Sequence, residues 1–310
     1  MMPGAAAKPT PFPDLNMASV EPAAAPAWQA LVPAVFVLLW ATGFIFGKFG
    51  LFYAQPFTFL LLRFAVTTVL MLGVSLAMRA SWPKSWREAF HVAVVGLLLQ
   101  FVYLGGCYAA MASGIPAGVT ALIVGLQPIL TATLVGPFLG ERVVPRQWLG
   151  LAVGFVGVTL VLWEKLDFAG LERYGLFWAL LGLVGITAAT LYQKRFCGAV
   201  DLRSGAAIQY GAATIATLPV VLFLGWGEVR WTPGLFFSLA WLVLVLSMGA
   251  FTLLLWLIRR GAASKVASLF YLTPPLAALG GFFMFGERLG PPALGGMALA
   301  AVGVGLVTRA

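Results

Sequence analysis

Residues 117–161 read AGVTALIVGLQPILTATLVGPFLGERVVPRQWLGLAVGFVGVTLV, and the pattern returns 146 positions later, at residues 263–307, as ASKVASLFYLTPPLAALGGFFMFGERLGPPALGGMALAAVGVGLV. Under this shift Leu126-x-Pro128 falls on Leu272-x-Pro274, Gly140-Glu141-Arg142 on Gly286-Glu287-Arg288, Pro145 on Pro291, and Val156-Gly157-Val158 on Val302-Gly303-Val304. About a third of the aligned positions are identical, more than two unrelated apolar stretches would share. Each copy holds an apolar segment with an internal proline, a short polar turn and a glycine-rich apolar segment. Such segments approach the length of about 20 residues that crosses a bilayer core. The chain is therefore a duplicated membrane protein. The same offset places Lys48 on Lys194 and Arg63 on Gln209, so the duplication reaches well upstream of the quoted stretch.

Outward from that stretch, apolar segments follow one another with hardly a gap: Trp28–Phe46, Pro56–Met78, Ala89–Met111, Pro116–Leu139, Trp148–Trp163, Leu176–Tyr192, Ala206–Leu224, Leu235–Ile258, Val266–Phe285 and Pro292–Thr308. Ten spans predict an all-α membrane protein, with residues 28–163 as one five-helix repeat and residues 174–308 as the other. Five is odd, so the second repeat enters the bilayer upside down. Inverted repeats are typical of secondary transporters, which hold substrate near the midplane between the two halves. Residues 1–27, rich in Ala and Pro and without an apolar h-region, read as a flexible cytoplasmic tail and not as a signal peptide. With the N-terminus inside, thirteen Lys and Arg fall on the cytoplasmic side, against Lys48, Lys165, Arg173, Arg230 and Arg288 on the other. That bias predicts a multi-pass protein of the inner (plasma) membrane with both termini cytoplasmic.

Composition removes most other classes. Of 310 residues, 61% are hydrophobic and 9% charged, with a mean hydropathy of +0.98, whereas soluble domains carry about 25% charged residues. A soluble enzyme, a disordered scaffold and a secreted disulfide framework are excluded. The net charge of +9 belongs to the cytoplasmic loops, since no basic run with interleaved aromatics lies outside the spans; no nucleic-acid partner is expected. Cys107, Cys197 and the single histidine, His91, have no metal-ligand spacing, so neither metal nor cofactor is expected. The stretch from Gly43 to Lys48 is one residue short of a phosphate loop and lacks the following Ser or Thr. All ten Asp and Glu fall in the tail, loops or span ends, so the intramembrane carboxylate typical of proton relays is missing. The expected mode is facilitated export down a metabolite gradient, with His91 or a peripheral Glu as the groups left for proton coupling.

Candidate contacts come from the polar residues inside spans. Gly96, Gln100, Tyr103 and Cys107 recur on one helical face of span three, which points inward because it holds Gln and Gly together. Trp40 and Thr42 on span one, Gln127 and Thr131 on span four, Thr187 and Thr190 on span six, and Tyr271 and Thr273 on span nine add neutral polar and aromatic groups. Substrate contacts are assigned to Trp40, Thr42, Gln100, Tyr103, Gln127, Tyr271 and Thr273, a set suited to neutral or zwitterionic solutes. Each of these alone also fits helix–helix hydrogen bonding. Pro128 and Pro274 lie near the centres of their spans, where a proline frees the carbonyl four residues earlier, and are candidate hinges. Arg63 is the one clear charge inside a span, about two turns from the outer end. It reads first as a snorkelling anchor and second as a receptor for a substrate carboxylate. Gly150, Gly154 and Gly157, with Gly296, Ala300 and Gly303, form small-residue ridges that serve as scaffold or as a dimer seam. The oligomeric expectation is a monomer or weak homodimer.

Ten spans in two repeats, each ending in a Leu-x-Pro span, a Gly-Glu-Arg turn and a glycine-rich last helix, resemble the EamA family of the drug/metabolite transporter superfamily. Leu39-Trp40-Ala41-Thr42-Gly43 looks like that family's opening motif, and the resemblance covers everything after the tail. Within the family, the chain is most similar to the YddG-type exporters of aromatic and other neutral amino acids. The resemblance implies a basket of helices around a central cavity that opens alternately to either side, with a small-molecule solute, an amino acid, as partner and the lipid bilayer as surroundings. A multidrug or quaternary-cation exporter is the alternative within the class. A membrane-embedded transferase is the alternative outside it.

Overall fold

A computed structural model describes residues 28–115, 117–163, 173–276, 279 and 290–309, and no strand occurs among them. The first repeat comprises α1 (Trp28–Leu51), α2 (Pro56–Ala77), α3 (Trp86–Ala112), α4 in two pieces (Ala117–Val124 and Gln127–Leu139) and α5 (Pro145–Leu162). The second comprises α6 (Arg173–Phe196), α7 (Leu202–Leu224), α8 (Pro233–Arg260), α9 (Ala263–Ser268, continuing through a tight turn at Leu269–Leu272) and α10 (Pro291–Thr308). Among the described residues eight helices are long and apolar enough to cross a membrane, and α5 is a shorter apolar helix. The tail, the loop holding Lys165 and the Gly286-Glu287-Arg288 turn lie outside the described residues.

Backbone chemistry sets the helix ends. Pro56, Pro145, Pro233 and Pro291 each occupy a first turn, where the missing N–H had no partner to lose. Ser85 caps α3 by accepting from the Glu88 N–H at 3.2 Å, and Asp201 caps α7 by accepting from the Arg203 N–H at 2.9 Å. Two further bonds from the Arg203 guanidinium hold the Asp201 carboxyl below the usual carboxylate range. Gly140, at φ 69°, closes α4 in the left-handed conformation. These caps explain why helices overrun the apolar spans: α3 begins at Trp86 rather than Ala89, and α7 at Leu202 rather than Ala206.

The duplication is visible in the geometry. Leu97–Leu104 of α3 and Trp241–Ala250 of α8 adopt the wider π turn, which bonds i to i+5. The 146-residue shift lays the first of these onto residues 243–250. Thr68 and Thr214 are equivalent under the same shift, and their hydroxyls meet at 3.2 Å where α2 packs on α7. A pseudo-two-fold axis therefore passes between them.

The last helices of the two repeats, α5 and α10, cross with their backbones in contact. A Cβ placed on Gly157 would lie 2.4 Å from the Ala300 nitrogen, and one on Gly303 would lie 2.4 Å from the Gly154 nitrogen. Both small-residue ridges thus pack inside the protein, as scaffold. Adding one methyl group at this crossing forces two helices apart, an overpacking cost of about 1–3 kcal/mol. Gly303→Ala is expected to lower the melting temperature in detergent by several degrees. Gly295→Ala, elsewhere on α10 with open space around its Cβ, should leave it unchanged; equal effects would contradict the crossing.

Candidate functional site

A vestibule of about 660 Å³ opens at one end of the bundle, between the end of α1, the start of α2, the end of α3 and the α7–α8 connection; its lining includes Lys48, Tyr53, Gln55, Met111, Ile115, Glu228 and Arg230. Below it lies a small cavity of about 40 Å³ lined by Trp40, Gly43 and Gly47 of α1, Arg63 of α2, Tyr103, Cys107, Tyr108 and Met111 of α3, and Leu246 and Phe251 of α8. Met111 lines both spaces, so the small cavity is the floor of the vestibule.

The opposite end is tied together by polar contacts. Lys194 of α6 pairs with Glu141 of the α4–α5 turn at 2.9 Å, and also donates to the Gly261 carbonyl. The second Glu141 oxygen accepts from the Ala263 N–H at 3.2 Å, while Arg195 donates to the Phe138 carbonyl. Glu141 is thus a clasp that joins α4, α6 and the start of α9, a role beyond the dipole complement that its turn position suggests. His91 sits toward this end, with Nδ1 2.7 Å from the Tyr192 hydroxyl and its ring stacked on Phe196.

The inward face of α3 is as the spacing predicts: Gln100, Tyr103 and Cys107 are all buried. The π turn widens that face, and Tyr108 joins it with its hydroxyl over Gly47, where a Cβ would come within 2.4 Å. Gln100 has zero exposure, and neither of its amide atoms has a hydrogen-bond partner among the described residues. Trp40 stands in an aromatic cluster, with ring centroids 4.7 Å from Phe251, 5.2 Å from Phe270 and 5.3 Å from Phe36.

Arg63 corrects its first reading. It is 2% exposed and does not snorkel. Its Nε donates to the Ser247 hydroxyl at 3.0 Å, its guanidinium carbon lies 5.9 Å from the Phe251 centroid, and Nη2 has no partner among the described residues. A charge held inside a span costs about 2.5–3.5 kcal/mol or more, and the groups around the guanidinium (the Ser247, Tyr108 and Tyr210 hydroxyls and the Phe251 ring) are all neutral.

The remaining sequence candidates gather elsewhere. Thr42 donates to the Leu39 carbonyl and accepts from the Trp241 indole at 2.9 Å, so it holds a neighbour rather than lining the cavity. Gln127 donates to Thr131 at 3.2 Å, with its carbonyl oxygen unpartnered among the described residues. Tyr271 packs its ring against Gly154 of α5, so Phe270, not Tyr271, meets Trp40. The Tyr271 and Thr273 hydroxyls also lack partners among the described residues. Pro128 stands in the first turn of the second piece of α4, just after the break at Gly125 and Leu126. Pro274 follows the tight turn of α9. Both helices are interrupted where the prolines fall. Sequence reasoning passed over Tyr108 and Phe251, which line the cavity, and Ser247, which accepts from Arg63; a π turn leaves no mark in composition, and an apolar Phe carries no signal.

Comparison with known proteins agrees with this architecture. The family model described as "EamA-like transporter family" matches twice, at residues 27–163 and 173–309. An uncharacterized transporter of Bacillus subtilis, YvbV, is 27% identical over 284 residues, covering 90% of each chain. A probable amino-acid metabolite efflux pump of Salmonella typhimurium is 23% identical, covering 86% of this chain and 90% of its own. A solved crystal structure superposes with a TM-score of 0.76 at 19% identity, over 90% of this chain and 96% of the other.

The clasp invites a double-mutant cycle. Glu141 and Lys194 keep about a quarter of their side-chain surface exposed, so their coupling should be about 0.5–1 kcal/mol. Glu141→Gln and Lys194→Met should each lower the melting temperature, the double variant should lose less than the sum, and the coupling should shrink in high salt. Strict additivity would remove the clasp.

Proposed function

Because the chain belongs to the EamA-like transporter family, we propose that it exports neutral and aromatic amino acids across the inner membrane by alternating access. The observation that carries this reading is the small cavity itself: aromatic walls beside the buried Arg63 guanidinium, adjoining a vestibule at one end of the bundle, while an ion pair ties the other end together. The name of the Salmonella relative supports the solute class.

In this reading Trp40 and Tyr103 receive the apolar side chain and Gln100 bonds the zwitterionic head. Gln127, Tyr271 and Thr273, whose free polar atoms lie beside the interrupted parts of α4 and α9, serve the opposite state. The breaks at Pro128 and Pro274 are the hinges. The clasped end is cytoplasmic, because Arg79, Lys84, Arg87, Arg142, Arg146, Arg195, Arg260 and Lys265 crowd the helix ends on that side. Both termini are then inside. A permanent cation is the poorer solute, since the cavity lining carries Arg63 and no carboxylate.

In proteoliposomes the protein should take up phenylalanine or tryptophan saturably, with stimulation by solute on the far side. Gln100→Ala should raise the half-saturating concentration roughly 10-fold or more, as expected for losing a hydrogen bond to a charged group. Currents without saturation would make it a channel, and no amino-acid uptake at all would end the substrate reading. In cells, a cysteine at Glu228 should react with an impermeant maleimide from outside and one at Lys84 should not; the reverse pattern inverts the topology.

A further inference from the structure

We propose that Arg63 forms a carboxylate subsite at the floor of the vestibule, so that the protein selects its solutes by a carboxylate group rather than by an ammonium group. This deepens the amino-acid reading and rests on it for the rest of the solute. A guanidinium suits carboxylate capture because it is a planar donor fork, permanently charged, that matches a carboxylate two bonds at a time. One nitrogen is committed to Ser247, and Nη2 has no acceptor among the described residues. The side chain is 2% exposed and lines the small cavity. Gln100, whose amide atoms have no partner among the described residues, and Arg63 both lie beside the Tyr210 hydroxyl.

The duplicated fold supplies an internal control. The repeat equivalent of Arg63 is Gln209, a neutral residue that donates to Gln193 at 3.4 Å within the buried core. The architecture therefore does not need a cation at this position; one half carries it and the other does not. Cavity size adds a constraint. At about 40 Å³ the space is small beside the vestibule of about 660 Å³. The carboxylate seats beside Arg63, Trp40 and Tyr103 on the same lining meet the adjoining apolar part, and the vestibule beyond Met111 has room for what remains of the solute. Lys48 and Arg230 outnumber Glu228 there, which favours the approach of an anionic group.

The test uses the full-length protein in nanodiscs and reads ligand-induced thermal stabilisation with four probes: phenylalanine, phenylalaninamide, 3-phenylpropionate and phenethylamine. Phenylalanine and 3-phenylpropionate should stabilise the wild type, and the amide and amine should not. Arg63→Gln copies the residue of the other repeat and should fold; it should weaken the two carboxylates roughly 10- to 100-fold, with Arg63→Lys in between. Equal shifts with phenylalanine and its amide, or wild-type affinities in Arg63→Gln, overturn the subsite while leaving amino-acid transport in place. Stabilisation by 3-phenylpropionate that depends on Arg63, without any amino-acid uptake, keeps the subsite and ends the amino-acid reading. No shift with any probe overturns both. Should Arg63→Gln fail to fold, the discrimination between phenylalanine and its amide in the wild type decides alone, because a merely structural arginine would not produce it.

Discussion

Where α5 crosses α10, no side chain separates the two backbones. Lipid tails are as apolar as leucine, so helices in a bilayer gain little from hiding apolar surface against each other. Close van der Waals contact has to replace it. Gly150, Gly157, Gly296 and Gly303 provide that contact, because each would drive a Cβ into the partner backbone. The crossing joins the final helices of two repeats that run in opposite directions. It forms a fixed post, and the remaining helices are free to supply the cavity, the vestibule and the clasp.

Much of this was legible in the chain. The 146-residue offset gives the repeat, its odd helix count gives the inversion, and the loop charges give a sidedness. The inward face of α3 is readable too, since a stripe containing Gln100 cannot face lipid. What escapes is whatever depends on register at the level of one residue. A π turn leaves no compositional mark, so nothing announces that Tyr108 reaches the same space as Tyr103. Tyr271 and Phe270 differ by one position on an interrupted helix, and the break decides which of them meets Trp40. Arg63 was visible as a lone charge, yet its depth alone fits snorkelling; only the Ser247 bond fixes its direction.

The buried polar groups fall into two populations. Thr67, Ser75, Thr187, Thr190 and Thr217 donate to the carbonyl four residues back in their own helix, so their protons are already committed. Thr187 and Thr190, which looked from sequence like cavity groups, belong here. The second population has no partner among the described residues, and it includes atoms of Arg63, Gln100, Gln127, Tyr271 and Thr273. Native interiors satisfy nearly all such groups, so the exceptions carry information. Among the described residues, Arg63 lines the cavity and Gln127, Tyr271 and Thr273 stand beside the two broken helices, whereas Arg259 lies apart at the end of α8.

The paired π turns have a mechanical meaning. An eight-residue stretch bonded i to i+5 holds one residue more than the α form would need, and the surplus is slack stored within the helix. Taking up that slack exchanges one ladder of backbone bonds for another and leaves no amide bare, which a bilayer requires. One residue corresponds to about 100° of helical rotation. A slip at Leu97–Leu104 would therefore turn the part of α3 beyond it and carry Tyr108 around the axis while the part before it stays in place. With a comparable reserve in α8, ten residues long against eight, both halves hold such play beside one cavity.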